Sequence, residues 1–273
     1  MRVRVLGSAA GGGAPQWNCA CAVCASATSD RTQDTVAVSG DGIAWYLINA
    51  GPDIRTQILR TPELRAGPGL RQTPLRGVLL TTAELDHTLG LLCLREAVRL
   101  SVYATPAVGA ALAAAFPLRP MLAQYTDLEW LELPAELELD GGLRVRRLTV
   151  GSKRPRYAGT ARLPADSGQE WVSALRLTDA RSGSSFVHAT CLPAWTDAFD
   201  AFVDGADEVL LDGTFATGDE FPGARRMGHL PMTESRPHLA RHPHTRFRFG
   251  HLNNTNPSTG DDIVADGQEI LHG

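Results

Sequence analysis

The 273-residue sequence has no long apolar run, no surplus of positive charge and no even set of cysteines for a disulfide framework. The longest apolar stretch, Ala107 to Phe116, is about half the length a helical bilayer span requires, so no membrane partner is expected. Lys and Arg total 26 against 30 Asp and Glu, leaving a net charge of −4. Without a basic field to drive counterion release, nucleic acid is not expected as a partner either. Met1-Arg-Val-Arg-Val-Leu6 is too short for the apolar core of a secretion signal, and the expected location is cytoplasmic. With 43% hydrophobic and 21% charged residues, collagen, coiled coil and bulk disorder are excluded. What is present is an odd set of five cysteines, three of them between Cys19 and Cys24. In a cytosolic chain such clustering points to metal ligation before disulfides.

Short apolar segments that stop at polar residues recur along the chain. Arg2–Leu6 reads as a strand running into the glycines at 11–13, and Val36–Ser39 with Ile43–Asn49 reads as a hairpin around Gly40-Asp-Gly42. Further strands are expected at Gly77–Thr81, Ser101–Ala104, Leu143–Val150, Ala174–Thr178, Ser185–Val187, Glu208–Leu211 and Arg246–Phe249. Helices are expected at Ile54–Arg60, Leu89–Val98, Pro106–Phe116 and Ala194–Val203. This alternation predicts an α/β layered fold. No clean linker divides the chain, so one domain over 1–273 is expected. Gly151–Gln169 is rich in Gly, Pro and Arg without periodicity, and is expected to form a surface loop that moves over a pocket. His238, His242 and His244 with Arg241 and Arg246 read as an exposed basic face.

Cys21 and Cys24 have the spacing in which two thiolates grip one tetrahedral Zn²⁺, and Cys19 supplies a third corner. A structural zinc is the preferred reading. A redox dithiol and a metal-free loop of small residues are the alternatives, and the fourth ligand must come from elsewhere. A second constellation follows the strand at 77–81, where Glu84, Asp86 and His87 come in quick succession. Open α/β sheets collect ligands at the carboxyl ends of their strands. Asp212, His229 and His251 end similar segments, and several such ends together favour convergence on one pocket. Each alone has a plainer reading: a solvated acid, a helix cap or a hydrogen-bonded core histidine.

The order and wording of these motifs resemble one family. The opening Val5-Leu-Gly-Ser-Ala-Ala-Gly-Gly-Gly-Ala-Pro-Gln-Trp-Asn-Cys-Ala-Cys21 is similar to the start of the pyrroloquinoline quinone biosynthesis protein B (PqqB) family. So are Asn49-Ala-Gly-Pro-Asp-Ile-Arg55, Asp86-His-Thr88, Asp212-Gly-Thr-Phe215, Met227-Gly-His-Leu-Pro-Met232 and His251-Leu-Asn-Asn-Thr-Asn-Pro257. The resemblance implies a four-layer αββα metallo-β-lactamase-like sandwich, a structural zinc on the cysteine loop and an active-site metal. It further implies non-haem Fe²⁺ and hydroxylation of a tyrosine in a small peptide. The usual hydrolase signature of that superfamily, His-x-His-x-Asp-His, has Thr82 and Glu84 at its first two positions here. PqqB lacks both of those histidines too. Glu84 adds a carboxylate in their place. PhnP, a phosphodiesterase sharing the cysteine loop, closes its zinc with a histidine where this chain has Asn254.

Two histidines and one carboxylate on one face form the site type of Fe(II) oxygenases. The expected active-site metal ligands are therefore His87, His251 and Asp86, with Glu84 as an alternative oxygen donor and Asp212 and His229 in or beside the shell. Arg55 and the arginines of the 151–169 loop are expected to receive a peptide carboxylate. The implied partners are a small peptide or modified amino acid, O2 and possible pathway proteins. Two rival functions remain open at this stage: a metal-dependent hydrolase of phosphodiesters or lactones, and a non-catalytic carrier of the pathway product.

Overall fold

A computed structural model describes residues 1–164, 168–220 and 224–272. Two mixed sheets stack face to face. The first takes β1 (Arg2–Gly7), β2 (Thr35–Ser39), β3 (Trp45–Ile48), β4 (Leu75–Leu79), β5 (Leu100–Ala104), β6 (Leu128–Glu132) and, from the far end of the chain, β13 (Glu269–His272). Their order is β13-β1-β2-β3-β4-β5-β6. The second takes β7 (Glu136–Leu139), β8 (Leu143–Gly151), β9 (Val172–Asp179), β10 (Ser185–Ala189), β11 (Glu208–Asp212) and β12 (Arg246–Gly250), ordered β12-β11-β10-β9-β8-β7.

Burial explains the layering. Alternate residues of β1 and β2, namely Val3, Val5, Val36 and Val38, meet Leu143, Val145, Leu175, Phe186 and Leu210 between the sheets. The opposite face of the first sheet, through Leu47, Val78 and Val102, packs on Ile54, Leu91, Val108 and Leu112 of the helical segments that cover it. The outer face of the second sheet packs Val187, Val209 and Phe249 on Phe199, Phe202 and Met232. Helix, sheet, sheet, helix is the expected αββα order. Among the described residues no helix is long and apolar enough to cross a membrane.

Strand direction matters most for function. β3 to β6 run parallel, and so do β10, β11 and β12. The carboxyl ends of β3, β4, β10, β11 and β12 lead into Asn49, Thr82, Cys191, Asp212 and His251, which meet at the site described below. Backbone contact Ser173 N to Thr81 O, at 3.0 Å, ties the two sheets at that edge.

Several local expectations change. The segment 89–98 forms a tighter 3₁₀ helix over Leu89–Glu96, and 106–116 is an α-helix only to Ala110 before widening into a π-helical turn. β6 and β7 were not foreseen, nor was the helix Met232–Leu239. The expected basic face holds for Arg241, His244 and Arg246, which are exposed, but not for His242, which is 6% exposed and pairs with Asp200 and Asp204 at 3.1 and 3.3 Å. Two carboxylates replace water around it, and Trp195 stacks on His238 beside them. Gly151 belongs to β8, Arg156–Ala158 makes a short 3₁₀ turn, and 159–164 lacks regular structure. Positions 165–167 of that expected loop lie outside the described residues.

Candidate metal centres

The Asp86–His87 turn is held by its backbone before any side chain acts. Ala50 N donates to His87 O and Gly90 N to Ala50 O, both at 2.8 Å. A Cβ on Gly90 would lie 2.3 Å from Gly51 O, so only glycine permits this approach. The Asn49-Ala-Gly51 segment is thus the abutment against which the histidine turn rests. Asn49 accepts from Thr81 N and Thr81 Oγ1 at 3.0 and 2.9 Å, and donates to Asp34 at 3.3 Å. Asn49 and His251 are the two non-glycine residues with positive φ among the described residues, at 62° and 56°. Such conformations concentrate at functional sites, where the surrounding contacts hold them.

The imidazoles converge with defined faces. His87 is fully buried, its Nδ1 2.7 Å from Thr82 Oγ1 and its ring centroid 5.4 Å from that of His251. With Nδ1 engaged by the hydroxyl, Nε2 is left facing the site, and it is buried without a hydrogen-bond partner. His251 places Nδ1 2.8 Å from Thr214 Oγ1 and Nε2 3.3 Å from Asp86 Oδ2. Two sets of ligand atoms close within 4.8 Å: His87, Cys191 and His251, and Asp212, His229 and His251. The second set is internally bonded, with His229 Nδ1 2.7 Å from Asp212 Oδ2 and 3.0 Å from Thr214 Oγ1. Asp212 also accepts from Leu192 N and Thr214 N at 2.8 and 3.0 Å.

Charge follows burial and pairing. Burial alone would raise Asp86, but His87 and a hydrogen bond to His251 hold it well below the usual carboxylate range. Burial would lower His251, yet Asp86 and then Asp34 and Asp212 lift it to about 9. His87 is lowered, chiefly by burial. Burial, with Asp212, Asp86 and Asp34 nearby, pushes the Cys191 thiol well up. A divalent cation would reverse the local logic by favouring every anionic or neutral donor.

Of the residues expected from the sequence, His87, Asp212, His229 and His251 supply converging ligand atoms, whereas Asp86 belongs to neither set and reaches the cluster through His251. Glu84 does not join them; its carboxylate turns to Lys153 at 3.4 Å, at the cleft rim. Arg55 is exposed on the helix Ile54–Arg60 and does not line the cleft over Asp86, whereas Arg156 does. That cleft is about 400 Å³ and is bounded by Gly11, Gln33, Asp86, Leu89 and Tyr157. A Cβ on Gly11 would come within 3.3 Å of Asp86 Oδ2, so the glycine loop leaves the space above the carboxylate open. Tyr157 donates its hydroxyl to Ala83 O at 2.6 Å and packs on Phe116, which lays the 151–164 segment along the cleft.

Sequence reading missed Asp34, His188, Thr190 and Cys191. Asp34 is 1% exposed, accepts from Thr190 Oγ1 at 2.9 Å, and lies 3.5 and 3.6 Å from Nε2 of His188 and His87. Burial would raise its pKa, but His188, His251 and His87 hold it at about 2.

The cysteine loop forms the other centre. The sulfurs of Cys19, Cys21 and Cys24 lie within 4.8 Å of one another. Asn254 O approaches Cys21 Sγ and Cys24 Sγ at 3.5 and 3.7 Å, and Asn254 Nδ2 donates to Cys24 Sγ at 3.5 Å. The residue in the expected fourth-ligand position thus faces the thiols, offering oxygen where a histidine would offer nitrogen. Cys21 is lowered, first by the backbone N–H of Cys24.

The family model described as a beta-lactamase superfamily domain matches residues 44–251. Together with the αββα layers and the strand-end cluster, this places the chain in the metallo-β-lactamase superfamily. Within that class the chain belongs to the coenzyme PQQ synthesis protein B family. It is 37% identical over 294 residues to the coenzyme PQQ synthesis protein B of Methylorubrum extorquens, covering 100% of this chain and 98% of that one. The relative from Cupriavidus necator is 38% identical, with 99% and 95% covered. The crystal structure of Zn(2+)-bound PqqB from Methylobacterium extorquens matches with a TM-score of 0.87 at 33% identity, covering 100% of both chains. A diphosphatase of the PhnP family, at 21% identity and a TM-score of 0.71 over 99% of this chain and 97% of that one, shares the fold.

Proposed function

We propose that this chain is a non-haem iron-dependent hydroxylase acting on an aromatic residue of a small peptide or modified amino acid, in the synthesis of a quinone cofactor or a related peptide-derived product. The observation that carries the reading is His87 Nε2, fully buried without a hydrogen-bond partner and 3.6 Å from Asp34, in a cluster with His251 whose bonded neighbour Asp86 lines an open cleft. A buried polar atom without a partner in a native site calls for an ion or another ligand. Two imidazoles and a carboxylate would leave positions free on a bound metal, as oxygen chemistry requires and as a closed structural site does not. Fe(II) held by Asp86, His87 and His251 supplies the activation of O2.

The chain's own residues supply the rest. Thr82 fixes His87, and Thr214 fixes both His251 and His229 while Asp212 anchors His229. The opening left by Gly11 admits a flat ring above Asp86, and a cleft of this volume falls in the range that holds small ligands. Arg156 lines the wall and takes the carboxylate-binding role expected of Arg55. Cys19, Cys21 and Cys24, with the Asn254 carbonyl, hold a structural Zn²⁺. Family membership supports placing the reaction in quinone cofactor synthesis.

The test is anaerobic loading with Fe(II), followed by a tyrosine-containing peptide and isotope-labelled O2. Label is expected in the ring hydroxyl. His87→Ala and His251→Ala should each lose iron and product while keeping one zinc and the fold. Turnover of a phosphodiester without O2 and with a redox-inert metal would establish a hydrolase instead. Peptide binding with no second metal would establish a carrier.

A further inference from the structure

We propose that the Cys191 thiolate is a direct ligand of the active-site metal, alongside the imidazoles of His87 and His251. The inference rests on the reading that this centre holds a metal, and it narrows which metal. Its first support is convergence: the Cys191 sulfur and one nitrogen from each histidine lie within 4.8 Å of one another. The second is His87 Nε2, buried without a hydrogen-bond partner and with the Asp34 carboxylate 3.6 Å away. In the competing set His229 bonds Asp212 and Thr214 Oγ1 bridges His229 and His251, and no buried side-chain atom of the set lacks a hydrogen-bond partner.

The third support is how firmly the thiol is placed. The residue before it, Thr190, donates its hydroxyl to Asp34 at 2.9 Å. The residue after it, Leu192, donates its N–H to Asp212 at 2.8 Å and accepts from Leu230 N at 2.6 Å. Carboxylates of the site therefore hold the neighbours of Cys191 on both sides, Thr190 by its side chain and Leu192 by its backbone. A cysteine that merely filled space at the rim of the apolar core would not need such anchoring. Supporting contacts of this kind are how metal sites fix the direction of a ligand.

Binding exchanges the thiol proton for the metal–sulfur bond, and the proton leaves to solvent. A thiolate with two imidazoles selects borderline divalent cations such as Fe(II), Co(II) and Zn(II) over Mg²⁺ or Ca²⁺.

Cobalt distinguishes the possibilities. Protein retaining one zinc in the cysteine loop, with the active site cleared by a mild chelator, is titrated anaerobically with Co(II) while zinc content is monitored. A sulfur-to-cobalt charge-transfer band should grow in the near ultraviolet and saturate at one equivalent. Cys191→Ser should lose the band, keep its zinc, and bind Co(II) more weakly by about tenfold or more, the loss typical of removing even a ligand's hydrogen-bond partner. Cobalt bound with ligand-field bands alone, identical in Cys191→Ser, would overturn the thiolate ligand and leave the metal reading standing. Failure to bind a second metal would overturn both. Should Cys191→Ser not fold, alkylation of the wild-type protein decides, because Cys191 is partly exposed. Mass spectrometry should show Cys191 protected by Co(II), and equal labelling with and without cobalt would refute the proposal.

Discussion

Replacing Asp34 by Asn keeps the shape of the side chain and removes its charge from a fully enclosed site. Asp34 Oδ2 gathers Thr190 Oγ1, Asn49 Nδ2 and the Nε2 atoms of His188 and His87 between 2.9 and 3.6 Å. Its pKa of about 2, against 3.8 for the free side chain, corresponds to about 2 kcal/mol of stability. Removing one partner from a buried pair typically costs roughly 3–5 kcal/mol, because the other is left uncompensated. Asn retains some hydrogen bonds, so a loss near the lower of these figures is expected. Because the folded pKa is depressed, this stability is fully present above about pH 4 and is lost as pH falls through about 2. The assay is urea unfolding of wild type and Asp34→Asn, both with zinc bound and the active site cleared. Their difference should be steady near neutrality and shrink in acid. Zinc release in acid affects both proteins and cancels in that difference. A loss under about 0.5 kcal/mol, the range of neutral surface changes, or a difference independent of pH would refute the reasoning.

Cys24→Ser should lose about one equivalent of zinc and unfold at lower denaturant, since zinc binding contributes directly to folding; full zinc content in stable variant protein would contradict the structural role. Gly90→Ala forces a Cβ to within 2.3 Å of Gly51 O, so it should cost about 1–3 kcal/mol in thermal or urea unfolding and weaken the active-site metal. An unchanged melting temperature would show that the abutment yields freely. Tyr157→Phe removes the 2.6 Å bond to Ala83 O, worth about 1 kcal/mol. Amide exchange should accelerate across 151–164 but not in β9 or β10, and exchange unaltered in that segment would show that the hydroxyl does not hold it.

The strand-end residues were legible because a short apolar strand followed by Asp or His is a local pattern, and parallel strands align such ends on one edge. Asp86, His87, Asp212 and His251 met that condition. Asp34 did not: it precedes β2, which runs antiparallel to β1 and β3, so no strand-end rule points to it. His188 lies within β10, where a buried histidine looks like any other core position. Cys191 did carry the signal, as the polar end of an apolar strand, but the thiol cluster at 19–24 drew the metal reading away from it. Glu84 misled because its partner, Lys153, comes from the 151–164 segment, and nothing local announces that pairing. β6 and β7 hid behind acidic alternation, Leu128-Glu-Trp-Leu-Glu132 and Glu136-Leu-Glu-Leu139, at the half-exposed edges of their sheets.

The carbonyl of Asn254 faces the cysteine sulfurs only three residues after His251 supplies its imidazole to the other centre. One short turn therefore touches both candidate metal sites, so any coupling between metals bound there must be reciprocal. Whatever factor zinc on the loop adds to the affinity of the active site, a metal in the active site must add to the affinity of the loop. If that factor favours binding, scarcity of either ion would lower retention of the other, and a chain stripped of zinc would hold its active-site metal less tightly without any change at His87, Asp86 or the cleft.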